Sequence, residues 1–192
     1  MKRIMPLPAA PAGLADYRRD TSVPGTWSDF RDYKGGAAYS ELTEALTNVQ
    51  HRLCCYCEID LRDRDRQVEH FVPRSDPSRG AQLALAPSNL LACCQGGNSI
   101  IQSDADRRLP PVGDNLSCGQ AKENKPATMF VDPRSLPALP SIARVTIDGL
   151  VEPDPDACRK TGHDPVEVAT TIARLGRTLR DFEMPVESTG EL

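Results

Sequence analysis

Val68-Glu69-His70-Phe71-Val72-Pro73-Arg74-Ser75 decides how this chain is read. The run from Arg66 to Phe71 reads as a short strand, and Pro73 stops it from pairing further in the middle of a sheet. Neighbours on a strand point to opposite faces, so Glu69 and His70 cannot serve one atom in the same role. That suits a division of labour in which one residue binds a cation and the other activates a water. Histidine, with an ordinary pKa of about 6.5, is a good base near neutral pH, and a carboxylate suits a hard divalent ion. Hydrolysis of a phosphodiester asks for both, together with positive charge on the scissile phosphate. A histidine alone is more often a core or surface residue, so the pair gains weight only from its surroundings.

Those surroundings are cysteines. Cys54-Cys55-Tyr56-Cys57-Glu58 precedes the pair, and Asn89-Leu90-Leu91-Ala92-Cys93-Cys94 and Cys118-Gly119-Gln120-Ala121-Lys122 follow it. Cys54-x-x-Cys57 has the spacing of a zinc knuckle, a tight turn that aims two thiolates at one tetrahedral ion. Cys93 or Cys94, with Cys118, offers the second half of the site. Cys94 is preferred on the assumption that Ala92-Cys93 completes a helical turn facing the core. The competing reading is that these thiols are small buried hydrophobes, which is the default role for Cys55, Cys93 and Cys158. Zinc held by four thiolates keeps no open position, so Zn²⁺ here would tie segments together and the chemistry would sit elsewhere.

Composition sets outer limits. A chain of 192 residues is expected to form one domain, and 39% hydrophobic residues with 17 prolines point to a loop-rich α+β fold. A net charge of −4 and only 5% aromatics argue against a surface wrapped broadly in nucleic acid. A local basic groove is compatible with that charge, since Arg62, Arg64, Arg66, Arg74 and Arg79 cluster around the Glu-His pair. Pro6, Pro8 and Pro11 interrupt any apolar leader, and no run approaches the ~20 apolar residues of a membrane span. The expectation is a cytoplasmic protein without a membrane partner, whose seven grouped cysteines are reduced and available to metal.

The pattern divides the chain into an irregular arm over 1–25, a core over 26–135, and a C-terminal hairpin and helix over 136–192. Tyr39, Leu42, Leu46 and Val49 share a helical face over 39–50, with Ser40 as N-cap and Trp27 and Phe30 as core anchors. Residues 58–61 are expected to pair with 66–71 across the charged turn 62–65, and Ser88 to cap a short helix from Asn89. A long excursion covers 95–117. Asp148-Gly149 turns a hairpin over 142–152. Asp164-Pro165 opens a helix whose buried face is Val166, Ala169, Ile172 and Leu175, with a break at Gly176 and a further turn through Leu179 and Phe182. His51, at a helix end, and His163, in a polar turn, carry no arranged partner.

Taken together, Cys54–Glu58, Val68–Ser75, Asn89–Cys94 and Cys118–Lys122 resemble the HNH endonucleases, with their zinc-stabilised ββα-metal core. The closer resemblance is to the PtuB-type HNH proteins encoded beside an ABC/AAA-type ATPase in Septu and retron-linked anti-phage systems. Trp27-x-x-Phe30, the 39–50 helix, Asp132-Pro133 and the stretch from Thr171 to Arg180 extend it over roughly residues 27–180. The resemblance implies a mainly helical single domain and a nuclease acting on DNA, with RNA left open, as effector beside a PtuA-like ATPase. It implies that His70 is the general base, Glu69 a ligand of catalytic Mg²⁺ or Mn²⁺, and Asn89 the residue orienting His70. The zinc ligands would be Cys54, Cys57, Cys94 and Cys118, and Lys122 and Arg74 would meet phosphate. Many such cores carry a His or Asn metal ligand where this chain has Gly119, so Asn124, ahead of Gln120, is the expected substitute. The alternative is a zinc-stabilised binding or regulatory subunit with a degenerate catalytic site.

Overall fold

The computed structural model describes residues 2–21, 25–62, 65–96 and 116–176. Its helices are α1 (Ala12–Asp20), α2 (Trp27–Asp32), α3 (Ala37–Val49), α4 (Gly80–Leu83), α5 (Cys118–Lys122), α6 (Pro155–Thr161) and α7 (Pro165–Arg174). Its strands are β1 (Arg66–His70), β2 (Leu90–Cys94), β3 (Ala143–Val145) and β4 (Val151–Pro153). They form two antiparallel pairs, β1 with β2 and β3 with β4. This is a small mixed helix-and-sheet domain. Among the described residues no helix is long and apolar enough to cross a membrane.

The β1–β2 pair is the centre of the fold. Its register sets Arg66 opposite Cys94, Glu69 opposite Leu91 and His70 opposite Leu90. Helices cover β1 on both faces. On one face Gln120 of α5 donates to Gln67 at 3.1 Å, and Lys122 reaches Glu69. On the other, Glu44 of α3 pairs with Arg66 at 2.6 Å, and the Trp27 ring of α2 stands edge-on against His70. The alternation of strand side chains therefore separates Glu69 from His70, as the sequence pattern requires.

Three local expectations give way here. β1 pairs with 90–94, not with 58–61, which make only an isolated bridge between Leu53 and Asp60. Residues from Leu90 onward are a strand, and only Pro87–Asn89 form a helical turn. All five β2 residues are buried, so the apolar run shows no period-two signal and mimics a buried helix segment. The arm before residue 25 contains α1, whose Leu14 and Tyr17 are buried. α1 crosses α3 so closely that a Cβ on Gly13 would lie 2.8 Å from that of Ala38.

α3 begins at Ala37, after Gly36 in a left-handed conformation, so Ser40 lies inside it rather than at its cap. Trp27 and Phe30 are core residues as expected, on a helix that Thr26 and Asp29 close with a reciprocal capping box. At α3's end the buried Gln50 side chain donates to the Ala92 carbonyl at 2.9 Å and accepts from its N–H at 2.8 Å. It thus acts as a further strand edge for β2.

The C-terminal part follows its local signals more closely. β3 and β4 join around Asp148-Gly149, where Gly149 takes φ 79°. Asp154 caps α6, and Asp164 caps α7 by accepting from the Val166 N–H. The buried face of α7 is Val168, Thr171 and Ile172, continued by Leu175, while Val166 and Ala169 are exposed. Gly176 follows the helix with φ 62°, and Cys118 N–H donates to Leu175 O at 2.9 Å, so the end of α7 docks on the start of α5. The expected turn through Leu179 and Phe182 and most of the 95–117 excursion lie outside the described residues.

Candidate metal centre and Glu69–His70 site

The thiols converge. Cys54, Cys57, Cys94 and Cys118 place their sulfurs within 4.8 Å of one another, a set that could hold a metal ion. A tetrahedral ion with metal–sulfur bonds of about 2.3 Å would set sulfurs roughly 3.8 Å apart. The Cys57 and Cys94 sulfurs are 3.8 Å apart. The Cys94 N–H donates to the Cys54 sulfur at 3.4 Å, a bond that favours thiolate. Burial opposes ionisation of Cys54, but its bonds with the thiols of Cys118, Cys55, Cys57 and Cys93 outweigh it and bring its pKa well below the ordinary thiol value. Cys118 is lowered to about 6: its bond with Cys54 acts upward, and those with Cys57, Cys93 and Cys94 prevail. Cys57 and Cys94 are pushed well above the ordinary value, chiefly by their bonds with Cys118 and Cys54, so Cys54 and Cys118 are the readier thiolates of the set for a thiophilic ion.

Cys94 joins this set because neighbouring strand residues diverge, not because of a helical turn. Cys93 instead groups with Cys54 and Cys55, all three buried. Cys158, the remaining thiol, is buried away from them and bonds to Ile142 O at 3.4 Å.

His70 closes β1. Its ring is nearly perpendicular to that of Trp27, with centroids 4.5 Å apart. Nε2 lies 2.9 Å from the Ala84 carbonyl. A carbonyl only accepts, so Nε2 carries the proton and the neutral ring keeps a lone pair on Nδ1. Burial lowers the pKa to about 4, and the charges of Arg74 and Lys122 act the same way. The ring is therefore neutral at neutral pH, with one N–H and one lone pair. Arg74 is exposed in the turn just beyond the strand.

Asn89 does a different job from the one expected. Its Oδ1 accepts from Val72 N–H at 2.7 Å, and its Nδ2 donates to Val72 O at 3.0 Å and Leu83 O at 3.2 Å. It staples the 71–89 loop, while the carbonyl of Ala84 holds the imidazole. A short amide buried at the foot of β2 satisfies loop groups that water cannot reach.

Glu69 lies half-buried on the opposite face, its side chain 12% exposed. Its Oε1 accepts from Tyr56 OH at 3.2 Å and pairs with Lys122 Nζ at 2.9 Å. Burial raises its pKa, against the pull of Lys122 and the Tyr56 hydrogen bond. Lys122 is buried as well and donates to His70 O at 3.1 Å, so the contact expected with phosphate is replaced by an internal ion pair. Gly119 lies directly against the carboxylate, where an added Cβ would be 2.8 Å from Oε2. Asn124 is exposed in the turn after α5. Tyr56 and Ala84 went unnoticed in the sequence, one hidden between two cysteines and the other acting through its backbone.

No family model matches the chain. A curated relative does. Over 105 residues the chain is 41% identical to "Retron Ec83 putative HNH endonuclease" of Escherichia coli. Its likeness is to a retron protein named as an HNH endonuclease. The aligned part makes up 52% of this chain and 38% of that protein, so the chain spans well under two thirds of its relative's length. The relative supports the HNH resemblance carried by the cysteines and the Glu-His pair.

Proposed function

We propose that this chain is a metal-dependent HNH endonuclease that hydrolyses phosphodiester bonds in DNA. The observation that carries the reading is His70: a neutral imidazole, with Nε2–H engaged and Nδ1 left to accept, at the end of the strand that also bears Glu69. The named likeness of the retron relative agrees with it.

In this reading Zn²⁺ sits among Cys54, Cys57, Cys94 and Cys118 and fixes the knuckle to β2 and α5. His70 Nδ1 takes the proton of the attacking water, with Ala84 O and Trp27 keeping the ring in place. Asn89 holds the loop that presents the Ala84 carbonyl. Arg74, exposed beside His70, meets the phosphate. Glu69 would offer Oε2 to Mg²⁺ or Mn²⁺, an ion that commonly binds through one or two carboxylates plus water and substrate phosphate. Bound there, the ion would supply positive charge to the scissile phosphate and the leaving oxygen. Asn124, exposed beyond α5, would need the substrate to draw it inward. The resemblance further suggests an anti-phage effector working beside a PtuA-like ATPase.

The competing reading is a zinc-stabilised binding or regulatory subunit. The Lys122–Glu69 pair and the bare Gly119 position favour it, because neither brings a second protein ligand to Glu69. Plasmid nicking with Mn²⁺ separates the two. His70→Ala should lose roughly 10²- to 10⁴-fold in rate while keeping its zinc. The wild-type rate should fall on the acid side near the His70 pKa of about 4. Equal cleavage by His70→Ala and wild type would remove the base assignment. A wild type inert alone but active with its neighbouring ATPase would establish the effector role, and inertness in both settings the binding subunit.

A further inference from the structure

We infer that Lys122 is the positioning residue of the Glu69–His70 site, an ammonium built into the fold that sets the orientation of both. Its consequence for cleavage rests on the nuclease reading, but its geometry does not. Lys122 is 1% exposed, and lysine is almost never fully buried unless paired. Its Nζ contacts Glu69 Oε1 at 2.9 Å and His70 O at 3.1 Å, and lies 5.7 Å from the centroid of the Phe130 ring. One side chain thus grips two consecutive residues of β1, the carboxylate of the first and the backbone of the second.

The grip comes from α5, and α5 is anchored at its other end. Cys118 and Lys122 stand four residues apart on this one-turn helix, a spacing that puts both on one face. Cys118 belongs to the four-thiol set, so the helix is a strut between the thiol cluster and the Glu-His pair. Gly119 leaves the Oε2 side of Glu69 without a side chain, while Oε1 is committed to Lys122 and Tyr56. Lys122 therefore both aims the carboxylate and limits it to one oxygen for any cation.

The test uses the full zinc-loaded chain and the variants Lys122→Met, Lys122→Arg, Glu69→Gln and Glu69→Gln/Lys122→Met. Lys122→Met removes a positive charge and frees Oε1, so Mn²⁺ should bind more tightly, by about tenfold, while kcat for nicking falls roughly 10- to 100-fold. KM for DNA should change less than about twofold. Lys122→Arg should recover part of kcat. A purely structural lysine would weaken metal binding and cleavage together, and a phosphate-binding lysine would raise KM and leave kcat alone. Either result overturns the inference.

Thermal unfolding adds a readout that needs no activity. Removing one partner of a buried pair leaves the other uncompensated, so Lys122→Met should lower Tm and the double variant should regain most of the loss. Additive losses would overturn the pairing. Should the wild type cleave nothing, the nuclease reading fails, while Mn²⁺ affinity and the stability cycle still decide the role of Lys122.

Discussion

The two strand pairs of this molecule are alike in pairing and differ in what surrounds them. β1–β2 and β3–β4 are both short antiparallel pairs. Every residue of β2 is buried, and helices cover both faces of β1, whereas Val145, Ile147 and Leu150 around the β3–β4 turn are 65%, 102% and 49% exposed. Long-range partners hold the first: thiols from 54 and 57, Gln50 from α3, Asn89 and Lys122. The second packs on α7 at its base, and its tip is closed only by its own turn, where Thr146 N–H donates to Leu150 O at 2.8 Å. Distant segments that fix a strand pair from both sides hold its polar side chains in one orientation, as a local turn cannot.

The largest contrast should come from the thiols. Metal binding to a structural site is folding free energy, on the order of 10 kcal/mol in small zinc domains. Cys57→Ser should therefore lose metal and cooperative unfolding together, read by metal analysis and calorimetry. An unchanged melting temperature would show that the cluster is no more than packing. Asn89→Ala strips three hydrogen bonds from the 71–89 loop, two of them buried. A loss of about 3 kcal/mol is expected, measured by chemical denaturation, with metal content retained. An effect no larger than a surface substitution would mean that the loop is held some other way. At the exposed hairpin Ile147→Ser should stay within about 0.5 kcal/mol of wild type, since no burial is lost. A larger cost would show that this tip is covered in solution.

How much was legible in the sequence follows the same division. Asp164-Pro165 and Asp148-Gly149 act within a few residues, through a cap and a turn, and both elements stand where those signals put them. Cys54-x-x-Cys57 is equally local, and it pointed correctly to a cluster of thiols. The segment 90–94 was misread as helix, because a strand buried on both faces shows no alternation. The role of Asn89 was misread because its partners, Val72 and Leu83, are set by how the loop folds back. Lys122 is expected at phosphate and is instead found inside, since nothing in Cys118–Lys122 shows which way a one-turn helix faces.

The sequence by itself determined the local turns and caps, the thiols available to a metal, and the adjacency of Glu69 and His70. Adjacency on a strand dictates opposite faces, and backbone geometry alone enforces that. Only the tertiary structure decided what each face meets: Trp27 and the Ala84 carbonyl for His70, Tyr56 and Lys122 for Glu69. Those partners come from segments 13 to 53 residues away in the chain. Burial makes their charges and hydrogen bonds strong enough to fix the site, and burial belongs to the packed whole.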